Sequence, residues 1–137
     1  MKQHYYKTKI VLSLLFAFFA TFKVHSQEEI IVSVKSAISQ GDAEKLSAYF
    51  NDLVELNIRE QKDNYSKAQA QFVLKSFFQK FPPVSFEYIH QGSSKKGVQY
   101  AIGKYYYKGG SFRVYMLIKE TTNGKYLINT LDFGDDE

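Results

Sequence analysis

The chain contains no cysteine, which excludes a disulfide framework, a thiol nucleophile and a thiolate metal site. A bacterial lipoprotein signal needs a cysteine at its cleavage point, so a lipid anchor of that kind is excluded too. The two prolines are adjacent, Pro82 and Pro83, and no low-complexity tract or internal repeat occurs, so nothing marks a linker between domains. Neither a glycine-rich phosphate loop nor a G-x-S-x-G nucleophile elbow is found. Of the three histidines, His4 and His25 lie in the first 26 residues, leaving His90 as the one imidazole beyond them.

Those first residues also explain the charge. A basic stretch (Lys2, Lys7, Lys9) leads into the apolar run Ile10 to Phe22, and the sequence turns polar at Lys23 to Gln27. This is the three-part layout of a secretory signal. A run of thirteen residues is too short to cross a hydrocarbon core, which takes about 20 residues of helix. Val24 and Ser26 are small enough for a signal-peptidase site before Gln27. The sequence therefore predicts a signal peptide over 1–26 and a single domain over 27–137, periplasmic or secreted after cleavage; an uncleaved anchor is the competing reading. Cleavage removes four lysines and no acidic residue, leaving fourteen basic against fourteen acidic side chains. The pI near 9.1 of the full chain thus gives no reason to expect nucleic acid as a partner. The remaining 111 residues suffice to bury a core without covalent staples.

Within that domain, Ile30, Ile31, Val34, Ala37 and Ile38 recur at three-and-four spacing and predict a helix over about 28–40, ended by Gly41. Asp42 can cap a second short helix, with Leu46, Tyr49 and Phe50 on one face and Asn51-Asp52 breaking it. Val54, Leu56 and Ile58 alternate with polar residues, as in a strand. Lys62-Asp63-Asn64 has turn chemistry, with a short return strand toward Tyr65. Ser66 opens a capping box with Gln69, ahead of a helix burying Ala70, Val73, Leu74, Phe77, Phe78 and Phe81 and stopped by the prolines. From Val84 the period becomes two, and four strands are expected over 84–91, 98–108, 111–121 and 125–133. Gly109-Gly110 and Asn123-Gly124 read as two-residue hairpin turns. The fold class is α+β, three helices packed on one face of an antiparallel sheet.

The turns imply a register. One face collects Ala101, Gly103, Tyr105 and Tyr107 opposite Ile118, Met116, Val114 and Phe112, followed by Leu127, Asn129, Leu131 and Phe133. This apolar face should meet the helices. The other pairs Tyr106 with Arg113, Lys104 with Tyr115, Ile102 with Leu117 and Tyr100 with Lys119, and carries Tyr126, Ile128, Thr130 and Asp132.

The element order, with Gly41-Asp42-Ala43 leading into Leu46 and Phe50, resembles the nuclear transport factor 2-like superfamily, also called SnoaL-like or cystatin-like. More narrowly, YSKAQAQFVLKSFFQKFPP (Tyr65 to Pro83), IHQGSSKKG (Ile89 to Gly97), YAIGKY (Tyr100 to Tyr105) and FRVYMLIK (Phe112 to Lys119) resemble domain-of-unknown-function family 4783, small exported proteins of Bacteroidota. The resemblance implies a cone in which a bent sheet wraps three helices. The superfamily hosts isomerases, dehydratases, hydrolases and binding modules, so fold alone does not select a function.

Enzymes of that superfamily place an acid or base in the mouth of the cone. Here His90 is the weak candidate, because alternation from Phe86 and Tyr88 points it inward, beside Tyr105, Tyr107 and Asn129. With Tyr88 these residues form the candidate ligand-binding set. The plainer alternative for His90 is a strand-end side chain, partly exposed or bonded to backbone. Asn129 among leucines either orients a ligand, satisfies a buried polar group or water, or marks a slipped register. One histidine and scattered carboxylates supply no metal site, and no cofactor is implied. Asp135-Asp136-Glu137 reads as a solvated tail. The outer face, with Tyr100, Lys104, Tyr106, Arg113, Tyr115 and Lys119 around Ile102 and Leu117, is the candidate interface for a homodimer. A solvated antiparallel face with long amphipathic side chains is the alternative. The reading is a non-catalytic exported module binding a small apolar ligand in the cone or a protein through the sheet; the alternative is a cofactor-free isomerase- or dehydratase-like enzyme using His90 or an inward aspartate.

Overall fold

The computed structural model describes residues 27–94 and 96–136. The signal-peptide reading falls on 1–26, outside the described residues. Helix α1 (Gln27–Gln40) buries Ile30, Val34, Ala37 and Ile38, four of the five residues its spacing puts on one face, while Ile31 is half-buried. It closes in a Schellman motif: Gly41 takes φ +63° and donates to the Ile38 carbonyl, while Asp42 N donates to Ala37. The Asp42 side chain caps helix α2 (Ala43–Ser47). This helix is shorter than expected, because Phe50 turns away from it and begins strand β1 (Phe50–Ile58), which also absorbs Asn51 and Asp52.

Strand β2 (Gln61–Ser66) pairs with β1 from Ile58↔Gln61 onward. Arg59 and Glu60 therefore form the turn, and Lys62-Asp63-Asn64, expected to turn, are extended. Helix α3 (Lys67–Lys80) has the predicted reciprocal capping box between Ser66 and Gln69. It buries Ala70, Leu74, Phe77 and Phe78, while Val73 and Phe81 are only half-buried. Strands β3 (Pro83–Ser94), β4 (Val98–Tyr107), β5 (Gly110–Glu120) and β6 (Tyr126–Asp135) follow.

The curved six-stranded sheet runs β2-β1-β6-β5-β4-β3. It is not wholly antiparallel: β1 lies parallel to β6, which joins the early hairpin to the late meander. Helix α1 packs on β3, and α3 packs on α2, β1 and β2. All three contribute to one core with the inner face of the sheet.

Three local irregularities revise the expected register. Tyr107 pairs with Gly110 and Tyr105 with Phe112, so Lys108-Gly109 make the turn and β5 shifts by two residues against β4. A shift of two preserves facing, because side chains alternate with period two. The β5–β6 connection has three residues, Thr122-Asn123-Gly124, between Thr121 and Lys125: Thr121 N donates to the Lys125 carbonyl, Gly124 N donates to Thr121, and Gly124 lies at φ +80°. This is a three-residue hairpin loop closed by a left-handed glycine. The odd loop length puts Ile128 opposite Ile118, and a bulge then restores the expected Leu117↔Thr130 and Met116↔Leu131 pairs. The extra residue is Asn129. Ile128 is consequently fully buried with Leu131 and Phe133, while Leu127 loses its expected inner place.

A second bulge separates Tyr88↔Gly103 from His90↔Ile102, with Ile89 as the inserted residue. Gly103 is needed beside it. A Cβ there would stand 2.4 Å from the Phe86 ring and 3.0 Å from the Glu87 carbonyl oxygen, so a missing side chain lets Phe86 cover the strand.

Candidate functional site

The inner face brings Tyr88, Tyr105 and Tyr107 toward the helices but not His90 or Asn129. The bulge at Ile89 rotates His90 onto the face of Ile102 and Tyr100. There it is exposed, with Nε2 3.0 Å from the Tyr100 hydroxyl. Asn129, in its own bulge, accepts from Asn51 Nδ2 at 3.4 Å. The five candidate ligand-binding residues therefore do not converge.

The three tyrosines hold the core together. Tyr88 Oη donates to the Ile31 carbonyl of α1 at 2.8 Å, and Tyr105 Oη donates to the Phe81 carbonyl. Burial pushes both phenols above the ordinary tyrosine range, which keeps them neutral donors at physiological pH. Tyr107 stacks on Phe112, ring centroids 4.9 Å apart, and meets Phe81 edge-on at 5.1 Å. Phe77 fills the centre, its ring 4.6 Å from Phe133, 5.4 Å from Phe112 and 5.7 Å from Tyr105. Aromatic side chains thus occupy the space between sheet and helices at this end. Among the described residues, no aspartate side chain is buried, so none stands inward where a catalytic base would be needed.

The outer face carries all six candidate interface residues, in shifted pairs: Lys104 with Arg113, Tyr106 with Ser111, Ile102 with Tyr115, Tyr100 with Leu117 and Val98 with Lys119. Its charge is more balanced than the sequence suggested, because the carboxyl-terminal segment returns to it. Asp136 Oδ2 accepts from Lys104 Nζ at 2.7 Å and from Ser111 Oγ at 2.7 Å, and the Lys104 ammonium lies 5.6 Å from the Tyr106 ring centre. Asp135 pairs with Arg59 at 3.3 Å. The expectation of a solvated tail is corrected for Asp136, whose bonded side chain is only 22% exposed, while Asp135 stays exposed in its ion pair. The hydrogen bond from Lys104, then that from Ser111, holds the Asp136 carboxyl below its ordinary range; the same bond raises Lys104.

A groove of about 640 Å³ opens where the β1–β2 turn faces α3, bounded by Arg59, Phe72, Val73, Lys80 and Phe81 among others. Sequence reasoning missed it. Its one local signal is the pattern of Phe72, an apolar residue off the buried stripe of α3; the turn residues Arg59-Glu60 gave none.

The family model described as Domain of unknown function (DUF4783) matches residues 31–134. The chain belongs to the DUF4783 family. Solved members of DUF4783 share its fold: a family protein from Bacteroides ovatus is 28% identical, with TM-score 0.71, over 77% of this chain and 94% of that one. Another, from Bacteroides uniformis, is 26% identical, with TM-score 0.72, over 77% and 96%. At 10% identity the fold recurs in a domain of unknown function with a cystatin-like fold from Nostoc punctiforme, TM-score 0.62 over 79% and 74%. Comparison with curated proteins finds no match.

Proposed function

We propose that this DUF4783 chain is an exported, non-catalytic interaction module that pairs with a second copy of itself through the uncovered face of its sheet. Export rests on the amino-terminal sequence pattern. The observation that carries the pairing is the strip of Tyr100, Ile102, Tyr115 and Leu117 across β4 and β5, on the side opposite the helices. The four side chains of this strip are half-buried, packed among their neighbours on the sheet. Aromatic and aliphatic side chains at the centre of a patch with charges around it are the usual make-up of an interface. A twofold interface must also complement itself. This one carries both signs, with Arg113 and Lys119 in β5 and Asp132 in β6.

The alternative of a ligand enclosed in the cone draws less support, since rings fill the inner face at the candidate residues. The isomerase or dehydratase alternative needs an inward base, and the inner face offers phenols bonded to carbonyls. Sedimentation of the purified protein tests the pairing. The wild type should run as a dimer, and Tyr106→Glu combined with Tyr115→Glu as a monomer with an unchanged thermal midpoint. A wild-type monomer at high concentration ends the proposal.

A further inference from the structure

The β1–β2 turn holds Arg59 at φ +50° and Glu60 at φ +70°. A two-residue hairpin turn of this hand favours Asn-Gly, and a side chain in the left-handed region costs of order 1 kcal/mol or more. The strained backbone is tied to the sheet by Arg59 N donating to the Phe133 carbonyl at 2.9 Å. It carries the Arg59 guanidinium to 5.7 Å from the centre of the Phe81 ring. Lys80, in the last turn of α3, brings its ammonium to 5.5 Å from the same ring. Two cations from separate elements therefore converge on one aromatic side chain.

Their partners are unequal. Arg59 meets Asp135 with Nε 3.3 Å from Oδ1, in a contact that leaves about half of the arginine side chain exposed. Lys80 has no carboxylate within 4.0 Å among the described residues. Glu60 lines the same groove but sits exposed on the turn. The lining is mixed: Ile58, Val73 and Phe72 form an apolar strip, and Gln61, Ser76 and Asp135 share the groove with the two cations. Phe72 is 77% exposed, more than any other large apolar side chain described. The volume of about 640 Å³ lies in the range of small-molecule sites.

We propose that this groove binds an amphiphilic carboxylate, a small acid with an unbranched apolar chain. The chain lies along Phe72, Val73 and Ile58, and the carboxylate sits between Arg59 and Lys80. A guanidinium edge matches the two oxygens of a carboxylate, and charge-assisted bonds of this kind are stronger than neutral ones. An apolar chain alone would leave the Lys80 charge unused, and a small hydrophilic anion would leave Phe72 in water. The site lies apart from the sheet strip proposed for pairing, so either proposal can fail without the other.

Amide NMR titration of the purified protein with decanoate, decan-1-ol and acetate tests the site at neutral pH. Decanoate should shift amides of residues 58–61 and 72–81, with the alcohol and acetate each at least about tenfold weaker, a difference expected when a charge or an apolar contact is removed. Lys80→Gln and Phe72→Ser, both at exposed positions, should each weaken decanoate about tenfold while leaving the thermal midpoint unchanged. Decan-1-ol binding as tightly as decanoate, decanoate shifts confined to the sheet strip, undiminished binding by Lys80→Gln, or no decanoate binding at millimolar concentration would each overturn the assignment.

Discussion

His90 shows how one inserted residue changes the meaning of a side chain. Strict alternation from Phe86 and Tyr88 puts it in the core, and the bulge at Ile89 turns it outward onto Tyr100. Its ring is exposed and bonds to the Tyr100 hydroxyl. His90→Ala should therefore change unfolding free energy by less than about 0.5 kcal/mol in urea titration; a loss of several kcal/mol would mean that the imidazole is a core group. The contact of Asp136 with Lys104 gives a second test. Asp136 is held below its ordinary value by the bond from Lys104, so what it adds to stability is complete above the ordinary carboxylate range and lost as pH falls through its lowered value. Lys104 is raised, so its share is complete below the ordinary lysine range and lost as pH rises through the raised value. The contact should persist across neutral pH. In an NMR titration the Asp136 carboxyl should show a midpoint below the ordinary aspartate value, and Lys104→Met should raise it toward that value while the Ser111 bond still holds it down.

Elements formed where local chemistry and tertiary packing agree. Helix α3 begins at a reciprocal capping box, a pattern that satisfies two otherwise unpaired amide donors within four residues of chain. Ser66→Ala should cost about 1 kcal/mol, seen as a lower urea midpoint with an unchanged slope. The α1 terminus at Gly41 was equally readable, since a left-handed residue closing a helix is most often glycine. The strand ends were less so. Arg59-Glu60 turn without glycine, whereas Lys62-Asp63-Asn64, with better turn residues, extend along β1. Pairing with Val54, Leu56 and Ile58 decides this, because β1 is fixed by its buried face and its partner must follow the register. Likewise Asn123-Gly124 announces a hairpin without saying whether the loop has two residues or three. That difference moves Ile128 into the core and makes Asn129 a bulge.

At the scale of the whole molecule, one aromatic core joins α3 to the last three strands, and Phe77 is its centre. Phe77→Ala should cost about 3–5 kcal/mol, a large share of the 5–15 kcal/mol typical of a domain. Urea unfolding measures it directly. A loss under about 1 kcal/mol would show that the core is looser than its ring contacts imply. The parallel pairing of β1 with β6 closes the same core from the opposite end of the sequence. It also sets the β1–β2 turn beside Asp135 and Phe81, which creates the groove.

The sequence by itself determined the α+β class, the order and approximate extent of the elements, most of the buried stripe of the two long helices and the inner face of β4 and β5. These depend on periodicity and on end signals confined to a few neighbouring residues. Only the tertiary structure decided the placement of the first hairpin beside β6, the facing of His90 and Asn129, the return of Asp135 and Asp136 onto basic side chains, and the meeting of Arg59 with Lys80 at Phe81. Each joins residues far apart in the chain, or follows from a one-residue insertion that reverses which face a side chain takes. Periodicity carries no information about either.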